Sequence, residues 1–181
     1  MAELPSYPIP SDETERLIAL ESYNSPGSGP ERSLDVILRH VRRVFGVPIA
    51  IVSFVEEHRE RFRARLGIDS CGSDREGSFC THAILERDVM VVPDATLDER
   101  FHGSPLVNGT PGIRFYAGAP LVTLEGYVIG TLCIKDTIPR PQGLSIGEQQ
   151  SLAELAELVM DKLEARRLST AEADGRRRFD A

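Results

Sequence analysis

Residues 113–136 read IRFYAGAPLVTLEGYVIGTLCIKD. Two apolar runs, 115–124 and 127–134, flank Glu125-Gly126, and the glycine permits the positive φ that a tight turn requires. The stretch therefore predicts an antiparallel β-hairpin. Arg114-Phe115-Tyr116 stand at its entrance, the small residues Ala117-Gly118-Ala119 follow, and Gly130-Thr131-Leu132-Cys133 fill the return strand.

Upstream of the hairpin, VPIAIVSFV at 47–55 is a β-rich run, and Glu56-Glu57-His58 is a polar turn. Residues 61–66 alternate Phe62, Ala64 and Leu66 with arginines, the pattern of a strand with one buried face. The Gly-, Ser- and Asp-rich residues 67–77 predict a long surface loop, a kind of segment that is often functional. Ser78 is placed to cap a short helix over 79–87, which leads to a strand at 89–92 ended by Pro93. Residues 94–111 predict a second loop with one helical turn.

Helices are expected at both ends. A short one is expected over 12–23, then a break at Asn24-Ser25-Pro26-Gly27-Ser28-Gly29. Pro30 and Glu31 open a stronger helix whose Leu34, Ile37, Leu38, Val41, Val44 and Phe45 recur at helical spacing before Gly46 stops it. After Pro139 and Pro141, Ser145-Ile146-Gly147-Glu148 reads as a capping box, and Leu152, Leu155, Ala156, Val159 and Leu163 form the stripe of a final helix ending at Leu168. Strands joined by short turns, with helices before and after, predict an α+β fold with an antiparallel sheet. The organisation expected is a flexible segment at 1–11, one domain at 12–168 and a polar tail at 169–181.

Composition narrows the class. At 181 residues with 41% apolar and 27% charged side chains, the chain is long enough to build a core without metal or disulfide staples. A net charge of −7 argues against nonspecific nucleic-acid or anionic-membrane binding, and Arg176-Arg177-Arg178 reads as a solvated tail. Cys71, Cys80 and Cys133 form no metal-finger spacing, and Cys80-Thr81-His82 has no second dense Cys/His group to complete four ligands. Free thiols, no signal peptide and no span of about 20 apolar residues point to a cytoplasmic protein with no metal and no cofactor.

Several segments together resemble the GAF domains found in front of bacterial histidine kinases and cyclic-dinucleotide synthases or phosphodiesterases. They are Val47-Pro48-Ile49-Ala50, SFCTHAIL at 78–85, VVPDATLDERF at 91–101, Pro105-Leu106-Val107, IRFYAGAPL at 113–121, GTLCIKD at 130–136 and Pro139-Arg140. The resemblance implies a GAF/PAS-like, profilin-type fold: a central antiparallel sheet of five or six strands, terminal helices on one face and ligand-pocket loops on the other. Two places depart from the family pattern. Lys135 stands where an apolar strand residue is usual, and Cys71-Gly72-Ser73-Asp74 is atypical wording.

Carried onto this chain, the resemblance places a pocket under residues 78–84 and 94–115, with the hairpin as floor. The expected ligand-binding residues are Phe79, Cys80, His82, Asp94, Phe101, Arg114, Phe115 and Tyr116, the aromatics as walls and the polar groups to orient a ligand. Each has a structural alternative: Arg114 pairing with Asp94 or Asp98 to clamp two loops, His82 as a hydrogen-bonded core histidine, Phe79 and Phe115 as core, and Cys80 and Cys133 as small buried residues. The expected function is a non-catalytic sensory or regulatory domain that binds an unknown small molecule. It would signal through its terminal helices, as a homodimer and to a separate output protein on another chain. The alternatives are a protein-interaction domain whose vestigial pocket its own aromatics fill and, more remotely, a thiol-dependent free methionine-(R)-sulfoxide reductase using Cys71 and Cys80. Attachment of a linear tetrapyrrole is disfavoured, since Thr81 separates Cys80 from His82.

Overall fold

Apolar spacing sets the order of elements. The computed structural model describes residues 6–24 and 32–179. Helices α1 (Glu13–Glu21) and α2 (Arg32–Phe45) precede strands β1 (Ile49–Val55), β2 (Arg59–Leu66) and β3 (Gly72–Asp74). Helix α3 (Phe79–Ala83), strand β4 (Met90–Val92) and helix α4 (Pro105–Asn108) follow, then β5 (Phe115–Val122), β6 (Val128–Asp136) and the long α5 (Ile146–Phe179). Part of the expected N-terminal segment, most of the break at 24–29 and the Pro30-Glu31 helix start lie outside the described residues.

All six strands pair antiparallel in the order β3-β2-β1-β6-β5-β4. The hairpin is β5 and β6, in register from Phe115 opposite Asp136 to Val122 opposite Val128. Gly126 turns the chain at φ 92°, and its N–H donates to the Thr123 carbonyl at 2.9 Å. One face of the sheet carries the helices. Leu34, Leu38 and Val41 of α2 and Leu152, Val159 and Leu163 of α5 pack against Ala50, Val52, Ala117 and Leu132. The other face carries α3, α4 and the loops around them. This is the α+β architecture expected, and no helix among the described residues is long and apolar enough to cross a membrane.

The Ser145 box forms as expected: Ser145 N–H donates to Glu148 Oε2 at 2.8 Å, and Glu148 N–H donates to Ser145 Oγ at 3.3 Å. Helix α5 does not stop at Leu168, where a polar tail was expected. Residues 169–179 continue it, because they include two alanines, one glutamate and three arginines and hold no proline, and a single Gly175 only weakens a helix. The expected 67–77 loop contains β3, which pairs with Arg59–Arg61 of β2. Val44, expected in the α2 stripe, lies at its flank and faces solvent.

Gly130 sits where β6 crosses β1, and a Cβ built there would stand 1.9 Å from the Ser53 carbonyl oxygen. That oxygen belongs to the backbone and cannot swing away. Gly130→Ala is therefore expected to cost ~3 kcal/mol, the upper end of overpacking effects, read as a lowered urea midpoint. An unchanged midpoint would show that the strands separate freely here.

Candidate functional site

Strand parity builds the site. β6 is buried along its whole length, so its alternate residues enter two different layers. Thr131, Cys133 and Lys135 share the face turned toward α3, as do Ser53 of β1 and Tyr116 of β5. A register shift opposite Val52 and Ser53 inserts one extra residue into β2. As a result Ala64 packs in the helix-side core while Phe62 packs in the α3-side core. Glu60, two residues before Phe62, enters the same layer and is fully buried.

Over this layer lies a column of three rings. Phe79 stacks on Phe101 at a centroid distance of 4.4 Å and on Tyr116 at 4.9 Å, and all three are fully buried. Ser78 positions the column by capping α3, its Oγ accepting from the Cys80 N–H at 3.2 Å. The same Oγ donates to Glu60 Oε2 at 2.6 Å, and Ser73 Oγ donates to that oxygen at 3.1 Å. Glu60 Oε1 is buried with no hydrogen-bond partner among the described residues.

Lys135 supplies the compensating charge. Among the described residues no hydrogen bond or ion pair joins it directly to Glu60, and its Nζ lies 5.7 Å from the centre of the Phe62 ring and 5.9 Å from that of Tyr116. Burial alone pushes the Glu60 carboxyl up, but the Lys135 charge, the Cys80 thiol and the Ser78 and Ser53 hydroxyls outweigh it and hold the group below its ordinary value. Burial likewise lowers Lys135, and the Glu60 charge reverses this, so the ammonium form persists. Cys80 and Cys133 sit in the same cluster with Sγ atoms 3.9 Å apart. Thr131 Oγ1 donates to Cys80 Sγ at 3.2 Å, and the Tyr116 hydroxyl lies 3.4 Å from it.

The expected site residues divide. Phe79, Cys80, Phe101 and Tyr116 come together in this layer. His82 is half-buried beside it, edge-on to Phe101 at 4.9 Å, its imidazole pushed down by burial and the nearby Arg100 charge. Asp94 lies at the surface, where its carboxylate accepts from the N–H and hydroxyl of Thr96 at 3.0 and 2.7 Å. Arg114 makes no ion pair with Asp94 or Asp98; its Nη1 donates to the Val107 carbonyl at 2.8 Å, and Asp98 pairs with Arg100. Phe115 is on the other face, in the helix-side core under Arg140, because adjacent strand residues point in opposite directions. Sequence reading missed Glu60, Lys135, Thr131 and Ser53. The signal for Glu60 was there: the Phe62 alternation, carried two residues back, points it inward.

The cover of the site is tied to α1. Thr81 of α3 donates to the Arg75 carbonyl at 2.8 Å, and Arg75 Nη1 donates to Glu13 Oε1 at 2.5 Å. Arg16 Nε donates to Glu13 Oε2 at 2.8 Å and its Nη1 to the Val55 carbonyl at 2.7 Å. Both arginines are about 1% exposed. Burial raises the Glu13 carboxyl, but the two guanidinium groups outweigh it and leave it below its ordinary value.

The GAF domain family profile matches residues 29–163. This chain belongs to the GAF domain family. A cyclic di-GMP phosphodiesterase of Pseudomonas aeruginosa is 40% identical over 156 residues, which cover 86% of this chain and 26% of that protein. The chain thus spans about a quarter of the length of this curated relative. A free methionine-R-sulfoxide reductase from Neisseria meningitidis superposes with a TM-score of 0.63 at 16% identity, over 93% of this chain and 99% of that one. The GAF domain of an Acinetobacter phosphoenolpyruvate-protein phosphotransferase does so with a TM-score of 0.60 at 16% identity, over 93% and 99%. At such identity these structures establish the fold alone. The expectation that this GAF chain is not an enzyme is corrected by the Pseudomonas relative, which is named for an enzymatic activity.

The buried charges give a test with a defined sign. Lys135→Met leaves Glu60 as an uncompensated interior carboxylate, at an expected cost of ~3–5 kcal/mol at pH 7, and adding Glu60→Gln restores most of it. With Lys135 present, the folded carboxyl titrates below its unfolded value, so its contribution is complete above the ordinary carboxylate range and is lost as pH falls through the folded value. Without Lys135 the hydroxyl and thiol hydrogen bonds alone face the burial penalty; the folded value is expected to move above the unfolded one, and the sign inverts. The deficit of Lys135→Met against the parent should shrink between pH 7 and pH 5 in urea titrations. An equal deficit at both pH values would mean the two groups are uncoupled.

Proposed function

We propose that this chain is a small-molecule-sensing, regulatory GAF domain whose ligand enters between the Phe79–Phe101–Tyr116 column and the Glu60–Lys135 layer. The observation that carries this reading is the pair of buried, opposite charges, between which no hydrogen bond or ion pair is present among the described residues and of which Glu60 Oε1 has no hydrogen-bond partner among them. Burying two charges without joining them wastes stabilisation that a direct contact would supply. A ligand that donates to Glu60 Oε1 and accepts from Lys135 would recover it. The aromatic rings would supply the apolar wall, and Cys80 and His82 would border the entry.

Readout would run along bonds already described. Movement of α3 to admit a ligand shifts Thr81, hence the Arg75 backbone, hence the guanidinium that clamps Glu13 of α1. Helices α1 and α5 would then carry the change to a dimer partner or to an output unit. The 40% identity with a cyclic di-GMP phosphodiesterase supports an output of that class.

A second reading has its own observation. All three rings of the column are fully buried and in mutual contact, which favours a protein-interaction domain whose pocket its own aromatics have closed. Native mass spectrometry of freshly purified protein separates the two. The sensor is expected to carry a co-purifying small mass that Glu60→Gln and Lys135→Met both lose. Wild-type protein at its bare sequence mass, combined with no melting-temperature shift across a metabolite panel, would favour the closed interaction domain.

A further inference from the structure

We propose that Cys80 and Cys133 form a redox site, a vicinal dithiol that a hydroperoxide converts to an intramolecular disulfide. The proposal does not depend on any ligand binding in the pocket. Buried cysteines ordinarily pack as small apolar residues among other apolar groups. These two do not. Their sulfurs are 3.9 Å apart, Cys80 Sγ also accepts from the Thr131 hydroxyl and touches the Tyr116 hydroxyl, and Glu60 and Lys135 lie in the same layer. Cys71, the third cysteine, is exposed and apart from this group.

The surroundings treat the two thiols unequally. Burial and its neighbour push Cys80 up, whereas the Cys80 S–H and the Lys135 charge outweigh burial at Cys133 and bring it down. Cys80 S–H is also placed to donate to Cys133 Sγ, and this geometry assigns Cys133 as the sulfur that attacks. Its thiolate takes the terminal OH of a hydroperoxide ROOH; the O–O bond breaks, the alkoxide leaves as ROH with the proton that the Cys133 thiol gave up on ionising, and Cys133 becomes a sulfenic acid. Cys80 then attacks Cys133 Sγ. The S–S bond forms, the S–O bond breaks, and the hydroxide leaves as water with the Cys80 proton. Two thiols lose two electrons, the peroxide gains them, and the products are one disulfide, ROH and water.

Geometry limits the motion required. A disulfide needs its sulfurs about 2.05 Å apart, so closing from 3.9 Å calls for a shift of about 2 Å shared between the partners. β6 is fixed in the middle of the sheet, so the five-residue α3 is the element that moves. α3 carries both Cys80 and Phe79, and its displacement is also what would admit a peroxide to thiols that are otherwise fully buried.

The test uses the whole chain with Cys71→Ser, which removes the exposed thiol and its intermolecular disulfides. Protein is incubated with hydrogen peroxide, quenched, denatured, alkylated with N-ethylmaleimide and mapped without reduction. The expected result is loss of both alkylation sites, a Cys80–Cys133 linked peptide pair, full recovery of both sites after dithiothreitol, and a melting temperature higher by a few degrees in the oxidised form. Adding Cys133→Ser should abolish the linked pair. Because the map is read on protein with both cysteines present, it stands even where that variant fails to fold. Two free thiols after prolonged peroxide, or conversion to sulfinic or sulfonic acid with no linked pair, would overturn the proposal.

Discussion

The structure depends on one constraint, the two-sided burial of β6. All nine of its residues are inside, with β1 on one edge and β5 on the other. A strand in that position cannot send any side chain to water, so each residue must suit whichever layer it enters. Leu132 and Ile134 enter the helix-side core, where apolar groups are sufficient. Thr131, Cys133 and Lys135 enter the opposite layer and set a polar group within an otherwise apolar core. The chemistry of the candidate site is thus set by alternation along a single strand, before any loop is considered.

A buried lysine is tolerated only if something nearby restores what solvent provided. Here the restoring group comes from β2, and it reaches the layer only because a bulge re-phases that strand. Without the extra residue, the alternation of Ala64 would continue and Glu60 would face the helices. The bulge, the buried acid and the buried base therefore form one arrangement. Ser78 extends it: a single hydroxyl caps α3 and holds the Glu60 carboxylate, so the position of the aromatic column is coupled to the charge state below it.

The hairpin, the capping box and the helical stripes were legible in the sequence because each is a local pattern with a fixed period or a fixed residue type. The site was legible only in part. Phe79, Cys80, Phe101 and Tyr116 were placed together by family resemblance. Phe115 was placed with them although a strand cannot turn two consecutive residues the same way. Glu60 was missed because the strand start was read two residues late, although the Phe62 alternation carried back reaches it; the bulge that separates its layer from that of Ala64 is not visible as a periodicity. Lys135 was noticed as unusual, but a lone charge in an apolar run does not name its partner. Arg114 likewise had two candidate acidic partners, Asp94 and Asp98 on the preceding loop, yet its guanidinium satisfies a backbone carbonyl, a choice that depends on where α4 ends.

The site is tied to α1 by a cluster of buried charges. Two guanidinium groups share one Glu13 carboxylate in an almost dry setting, leaving an excess of positive charge that two backbone carbonyls, of Glu56 and Glu57, help to hold through Arg75. Such a cluster is intolerant of small displacements, since moving either arginine leaves a charge unpaired in the interior. Thr81 ties the Arg75 backbone to α3, the same short helix that carries Phe79 and Cys80. Thr81, Arg75 and Glu13 thus form a continuous bonded path from the short helix beside the site to α1.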